Sequence, residues 1–298
     1  MVVLISKLPI FLHKSKKSKL DQSESIAFQS FQSTLSENLH KLFSDHKNGL
    51  NYASLSLSWY IPSFKFIQGM NKAFAKLVKD LDYPVTKWQG KLGENYFSYT
   101  LNMLDVLNSI SSSISNLGSS RLSISHAITL IASNPSSAIH HLKPIIPKKI
   151  KDFNSKDMSN VESFNCGKER VIHEAMMKMR SVDLLILKVL FRGLSGERIE
   201  ENGWFNSGEF DGFNLGFGEE FVVIKEIKEV NEVVKKIEGS LVGGKKSNKY
   251  VETEELKRKL NEFESLIEMV EKEVNCLFSE VLARRNELIN CFRLPKCA

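Results

Sequence analysis

Cysteine, proline and long hydrophobic runs are all scarce in this sequence. Four cysteines occur among 298 residues, none of them in a Cys-x-x-Cys pair: Cys166, Cys276, Cys291 and Cys297. This usage argues against a disulfide framework and against a structural zinc site. We therefore expect reduced thiols in an intracellular protein.

The most apolar segment, residues 182–191, is too short to cross a membrane as a helix. It is interrupted by Asp183 and Lys188, whereas a membrane span needs about 20 mostly apolar residues. The sequence instead predicts that this segment is the core of a buried helix.

Every motif for a phosphate, dinucleotide or protease zinc site is incomplete. The sequence has no G-x-x-x-x-G-K-[ST] loop, and the Gly-x-Gly pair at Gly216 and Gly218 lacks a third glycine and a flanking strand. His173-Glu174 begins like a zinc-protease helix, but Met177 stands where the second histidine is needed. These near matches therefore predict no site.

Three further candidates also fall short. Residues 193–196, Gly-Leu-Ser-Gly, resemble a hydrolase nucleophile elbow, but Glu197 replaces its final glycine and a loop is expected. His140-His141 has no nearby ligands to complete a metal site. Asp80 and Asp82 are expected to form a turn. The sequence thus predicts no catalytic, cofactor-binding or metal-binding residue.

Positive charge is concentrated in the front half. Residues 1–150 contain 17 Lys and Arg against 8 Asp and Glu, a net charge of +9, while the rest of the chain has a net charge of −3. A basic half favours contact with an anionic surface such as phospholipid headgroups, or is simply a solvated basic face. The basic residues are dispersed and do not alternate with aromatics, so nucleic acid is not an expected partner.

The first 20 residues allow several interpretations. Lysines follow the apolar start instead of preceding it, which disfavours a secretory signal: Lys14, Lys16, Lys17 and Lys19. A transit peptide and a short amphipathic surface anchor both stay open. The preferred location is the cytoplasm or a peripheral membrane position, with the plastid as the alternative.

Apolar residues recur every three or four positions, which predicts helices. Five helices are expected in the front part, at residues 21–47, 52–82, 91–117, 120–132 and 136–142. Pro62 marks a first turn or a kink in the second helix, and Gly118 is expected to end the third.

Residues 144–166 are predicted to link a front part, 21–143, to a back part, 167–298. The back part begins with a buried helix near Gly167, followed by a glycine-rich loop at residues 193–218. All these parts are expected to form one domain.

The last third shows the most regular pattern. Apolar residues repeat in alternating steps of four and three in two segments: Val223, Ile227, Val230, Val234 and Ile237, then Leu256, Leu260, Phe263, Ile267, Val270, Val274, Leu277 and Val281. A short loop between them favours an antiparallel hairpin, and pairing between two chains is the alternative. The predicted fold is all-α, an antiparallel helical bundle with a heptad-patterned C-terminal hairpin.

Two features of the front half leave alternatives open. Trp59 and Trp88 flank the second helix and are expected in the core, or else at a binding edge with Lys65 and Lys87. The serines of residues 109–125 are candidates for phosphorylation.

Several strings resemble the plant-specific BYPASS-like proteins. They are the opening MVVL, LSLSW (55–59), NKAFAKLV (71–78), DYPVTKW (82–88), DVLNSISSSISNLG (105–118), RLSISHAI (121–128), NPSSAIHHLK (134–143) and GKERVIHEAMMKMRSV (167–182). Together they cover nearly the whole chain in order, and none of them is a catalytic signature.

The resemblance implies a regulator of plant growth that restrains a mobile, root-derived signal able to arrest the shoot. It also implies protein partners, in one branch from exocytosis, and a membrane-associated or plastid location for some members. The function expected on this basis is that of a non-enzymatic regulatory and interaction protein. The alternative is a helical small-molecule-binding protein or an unusual enzyme acting on an apolar metabolite.

Overall fold

The computed structural model describes residues 22–45, 50–51, 54–88, 90–147, 166–196, 223–242 and 249–293. Seven α-helices run through these ranges: α1 (Gln22–Asp45), α2 (Tyr60–Asp80), α3 (Lys91–Leu130), α4 (Pro135–His141), α5 (Gly167–Ser195), α6 (Lys225–Val242) and α7 (Lys249–Arg293). The predictions for residues 1–20, for most of the linker and for most of the glycine-rich loop lie outside the described residues. The all-α prediction is confirmed.

A minimal sheet joins the front of the chain to the start of α6. The strands β1 (Leu50–Asn51), β2 (Ser54–Leu55) and β3 (Val223–Ile224) have two residues each. β1 pairs antiparallel with β2, and β2 pairs parallel with β3. The predicted second helix, 52–82, was therefore wrong at its start, where two strand residues and a 3-10 turn at Leu57–Trp59 precede α2.

One hydrophobic core connects the helices. Buried side chains of α1, α2, α3, α5, α6 and α7 belong to a single cluster. Aromatic rings fill one part of it, with Phe74, Trp88 and Tyr96 in mutual contact at centroid distances of 5.5–6.3 Å. The core interpretation of Trp59 and Trp88 is confirmed, since each is 2% exposed, and neither can form a surface binding edge.

The predicted third and fourth helices form one continuous helix, α3. Gly118 does not end a helix, because buried residues continue on both sides of it, with Leu117 before and Ile124 after. Arg121 in this part pairs with Glu264 of α7 at 2.7 Å. Tertiary packing thus outweighs the weak local helix propensity of glycine and serine, and the described residues of the front part form four α-helices instead of five.

The buried helix predicted near Gly167 is confirmed as α5. Its stripe is buried throughout: Val171, Ala175, Met179, Val182, Ile186 and Val189. The loop predicted from residue 193 was wrong at its start, because Gly193 and Ser195 form the last turn of α5. Gly196 ends the helix in the left-handed conformation, φ 64°, which glycine adopts without a Cβ clash.

The heptad-patterned hairpin is present as α6 and α7. All eight heptad residues between Leu256 and Val281 are buried. Val223 belongs to β3 instead of the helix, and α6 extends to Val242 into the predicted loop. α7 also packs against α3 and α2, so the seam of this 45-residue helix faces the rest of the bundle as well as α6.

Two side chains of α6 form hydrogen bonds with segments that lie far away in the sequence. Asn231 accepts a 2.7 Å bond from Ile145 N and donates a 2.9 Å bond to Ile145 O. Glu226 accepts bonds from the Ser56 hydroxyl and from Leu57 N. Because these side chains replace water as partners of backbone and hydroxyl groups that packing partly buries, the contacts fix both segments against α6.

Candidate functional site

A buried carboxyl group lies between α3 and α5. Asp183, near the middle of α5, is 0% exposed, and Tyr99 on α3 is 1% exposed. The Tyr99 hydroxyl donates a 2.6 Å hydrogen bond to Asp183 Oδ2. A buried carboxyl group costs free energy unless it is neutral or fully paired, so the protonation state of Asp183 bears on the stability of the fold.

Burial determines the protonation state of the pair. It raises the pKa of Asp183 from 3.8 to about 8, although the Tyr99 hydrogen bond acts in the opposite direction. Burial also raises the pKa of Tyr99 well above its usual value, and the neighbouring Arg180 opposes that rise. At neutral pH Asp183 is therefore mostly a neutral acid, and Tyr99 is a neutral phenol.

Further polar side chains share this face of α3. Asn95, Tyr99 and Asn102 follow one another at helical spacing, which places them on one side of the helix. The amide nitrogens of Asn95 and Asn102 and the Oδ1 atom of Asp183 are buried without a hydrogen-bond partner among the described residues. We call Asn95, Tyr99, Asn102 and Asp183 the polar seam.

Lysines form a stripe on the outside of α2. Lys65, Lys72, Lys76 and Lys79 are all exposed, and their spacing places them within about 60° of the helix circumference. The stripe is about 21 Å long. We call these four residues the lysine face.

Little negative charge offsets the lysine face. Asp80 is the one acidic residue in α2. From α7, Glu273 reaches Lys65 at 3.7 Å and accepts a 3.4 Å bond from Gln68. Lys72, Lys76 and Lys79 form no ion pair with any residue that the structure describes.

The histidine and cysteine candidates are spread over the fold. His173 is half-buried on α5, where burial lowers its pKa, and Glu174 beside it is exposed. His141 stacks edge-on against His126 at 4.9 Å. In the described ranges, no three His, Cys, Asp or Glu side chains come close enough to share a metal ion. Cys166 and Cys276 are exposed thiols.

The other two candidates have structural explanations. Asp82 adopts a positive φ of 46° in the turn after α2, as its predicted role as a turn former requires. Ser195, the serine of the elbow-like segment, is buried and bonds the carbonyl of Arg192 within its own helix. A helix end of this kind does not expose a nucleophile as an elbow does.

Sequence reasoning missed both features of the site. Asp183 was noticed only because it interrupts an apolar segment, and Tyr99 lies among the buried, mostly apolar positions of α3, where it gives no separate signal. The lysine spacing of i, i+7, i+11 and i+14 is visible in the sequence. Counting charged residues over the whole of residues 1–150 did not reveal it.

None of the helices in the described part is long and apolar enough to span a bilayer.

Comparison with known proteins gives one informative result. No family model and no solved structure matches the chain. The chain is 24% identical over 310 aligned positions to "Protein BPS1, chloroplastic" of Arabidopsis thaliana, and the alignment covers 94% of this chain and 87% of that protein. The similarity extends over nearly the full length of the chain. The chain is therefore distantly similar to this Arabidopsis protein, in agreement with the resemblance to the BYPASS-like proteins of plants.

Proposed function

We propose that the chain is a non-enzymatic regulatory protein of plant development that works through contacts made by its helical surfaces. The observation that carries this proposal is the filled interior. Large side chains occupy the space between the helices with at most 2% exposure, among them Trp59, Tyr60, Phe64 and Phe263. Interiors packed in this way stabilise a fold and offer partners only the outer faces of the helices.

The family relationship gives this proposal its biological setting. The resemblance implies a role in restraining a root-derived signal that arrests the shoot, and we extend that role to this chain. Protein partners, including components of exocytosis, follow by the same analogy. Nucleic acid is not among the proposed partners, because the phenylalanines near the exposed lysines of α2 are buried and cannot stack on bases: Phe64, Phe66 and Phe74.

Two compartments fit this proposal. The cytoplasm, including the surface of a membrane that faces it, suits a chain with an exposed basic helix. The plastid is the alternative, and the word "chloroplastic" in the name of the Arabidopsis relative supports it. A fluorescent fusion at the C-terminus, which leaves residues 1–20 free to act as a transit peptide, distinguishes the two.

Affinity capture from plant tissue tests the proposal. The tagged wild-type chain and an Asp183→Asn variant should retain the same defined set of proteins, because the substitution changes the interior and leaves the surface intact. A chain that enriches no protein over a tag-only control, under several salt concentrations, contradicts the proposed function.

The polar seam favours one second function, a small-molecule-binding protein or an unusual enzyme. A neutral acid at Asp183, a phenol at Tyr99 and amides with unpaired N–H groups could orient a small polar group between two helices. Mass spectrometry of the chain isolated from plant tissue under native conditions tests this alternative. A stoichiometric small molecule that is absent from the Asp183→Asn variant would establish it.

A further inference from the structure

We propose that the lysine face of α2 docks the protein on an anionic phospholipid surface. This inference rests on the proposed function, since it names a partner for a protein that works through its helical surfaces. Four ammonium groups lie along one side of a rigid helix, in a stripe about 21 Å long. A surface that carries many phosphates is the partner that such a row can contact along its full length.

The attachment of α2 to the bundle keeps the lysine face outward. The opposite side of the helix is buried, with Phe64, Ile67 and Met70 fully covered and Phe74 and Leu77 nearly so. α2 packs against α1, α5 and α7 on that side. The four lysines therefore project from a fixed support, and docking does not require the helix to turn or to detach.

The charge balance of the helix points to an anionic partner. α2 contains four lysines and one acidic residue, and Glu273 of α7 contacts only the first lysine, Lys65. α6 is a contrasting case, because its four lysines are interspersed with four glutamates. The net positive charge of α2 is thus a property of this helix and is not shared by every exposed helix of the chain.

The residue types favour a lipid surface over a folded protein. Stable protein interfaces are anchored by Trp, Tyr and Arg, and lysine is depleted in them. The lysine face has no aromatic residue and no arginine. Lysine is a flexible point charge that adapts to phosphates without fixed positions, as in a bilayer. Each lysine near an anionic membrane contributes about a fivefold gain in binding.

Flotation of the full chain with vesicles tests the inference. Vesicles of phosphatidylcholine alone are compared with vesicles that also contain phosphatidylserine, each at low and high salt. The test variant carries Lys72→Glu, Lys76→Glu and Lys79→Glu. The matched control carries Lys228→Glu, Lys235→Glu and Lys236→Glu, three exposed positions on α6. Both variants change the net charge equally, and circular dichroism checks that both fold.

The wild type should bind the phosphatidylserine vesicles at low salt and leave them at high salt, because salt screens exposed charges. The α2 variant should bind at least about a hundredfold more weakly, because three lysines are lost and three repelling carboxylates are added, and the α6 variant should bind nearly as well as the wild type. Equal binding by the wild type and the α2 variant overturns the inference, because binding would then reside elsewhere, for example in residues 14–19.

Failure of the lipid inference can be distinguished from failure of the proposed function. If the wild type binds no vesicle but the α2 variant loses a captured protein or a nucleic acid, the lipid inference is wrong and the lysine face has another partner. The proposed function fails only if affinity capture from tissue also enriches no protein.

Discussion

The hydroxyl of Tyr99 and the carboxyl group of Asp183 form a 2.6 Å hydrogen bond that joins α3 to α5 inside the core. Both side chains are essentially inaccessible to solvent. The bond links residues 84 positions apart in the sequence and holds the helix that contains the most apolar segment of the chain. A hydrophobic residue at 183 would pack there without the free-energy cost of a buried carboxyl group. Because the carboxyl group can ionise and a hydrophobic residue cannot, the stability of the fold should depend on pH.

Rising pH should destabilise the protein through Asp183. The folded pKa is about 8 against 3.8 for a solvated Asp, so the unfolded state binds fewer protons between these values. The free energy of unfolding should therefore fall as pH rises from about 4 to about 8, by at most about 1.4 kcal/mol per pH unit, and level off above.

Urea unfolding of the wild type and of Asp183→Asn across this range measures the effect. The amide cannot ionise, so the difference between the two stability curves isolates Asp183 from His173 and other titrating groups. We expect the variant to become the more stable protein as pH approaches 8. Two parallel curves would show that Asp183 does not titrate as a buried acid.

Removal of the Tyr99 hydroxyl should weaken the fold and shift the titration further. Tyr99→Phe leaves Asp183 buried without its hydrogen bond, at a cost of about 1–3 kcal/mol at neutral pH. Because this bond opposes the rise in the pKa of Asp183, its loss should extend the pH-dependent fall beyond pH 8. A double-mutant cycle with Asp183→Asn should show clear non-additivity, and additive effects would mean that the two groups do not interact.

The helices could largely be predicted from the sequence, because the period of apolar residues sets which face is buried. The continuity of α3 could not, since local propensity near Gly118 favours a break and tertiary packing, which includes the contact with α7, decides against it. The polar seam was equally hidden. A single Asp in an apolar segment suggests an interruption, and its partner Tyr99 is a distant residue that only the packing of α3 on α5 brings near.

Two glycine substitutions should have opposite effects on stability. Gly118→Ala places its Cβ in open space within α3, and should stabilise the protein by about 0.5–1 kcal/mol because alanine has the higher helix propensity. Gly193→Ala places its Cβ 2.5 Å from Tyr60 Oη, an atom that bonds the Leu190 carbonyl at 2.8 Å. It should destabilise the protein.

Thermal melts of both glycine variants against the wild type check this pair. A Gly118→Ala variant that melts lower would mean that the glycine marks a real break in α3. A Gly193→Ala variant with unchanged stability would mean that α5 does not approach Tyr60 closely.

Charges placed in the α7 seam should disrupt the hairpin. Ile267 and Val274 are 7% and 2% exposed, and Asp at either position buries an unpaired charge, with an expected loss of several kcal/mol. Met269→Asp on the exposed side of the same helix is the matched control, with an expected change within about 0.5 kcal/mol. Equal stability of Ile267→Asp and Met269→Asp would contradict the orientation of α7.

We propose that the chain acts through its surface and not through chemistry at its interior acid. Complementation of a plant line that lacks this chain, with the wild type and with Asp183→Asn expressed at equal levels, separates these two modes of action. Asp183→Asn should restore growth as well as the wild type does. A folded Asp183→Asn chain that accumulates normally and fails to restore growth would instead place the function in the polar seam.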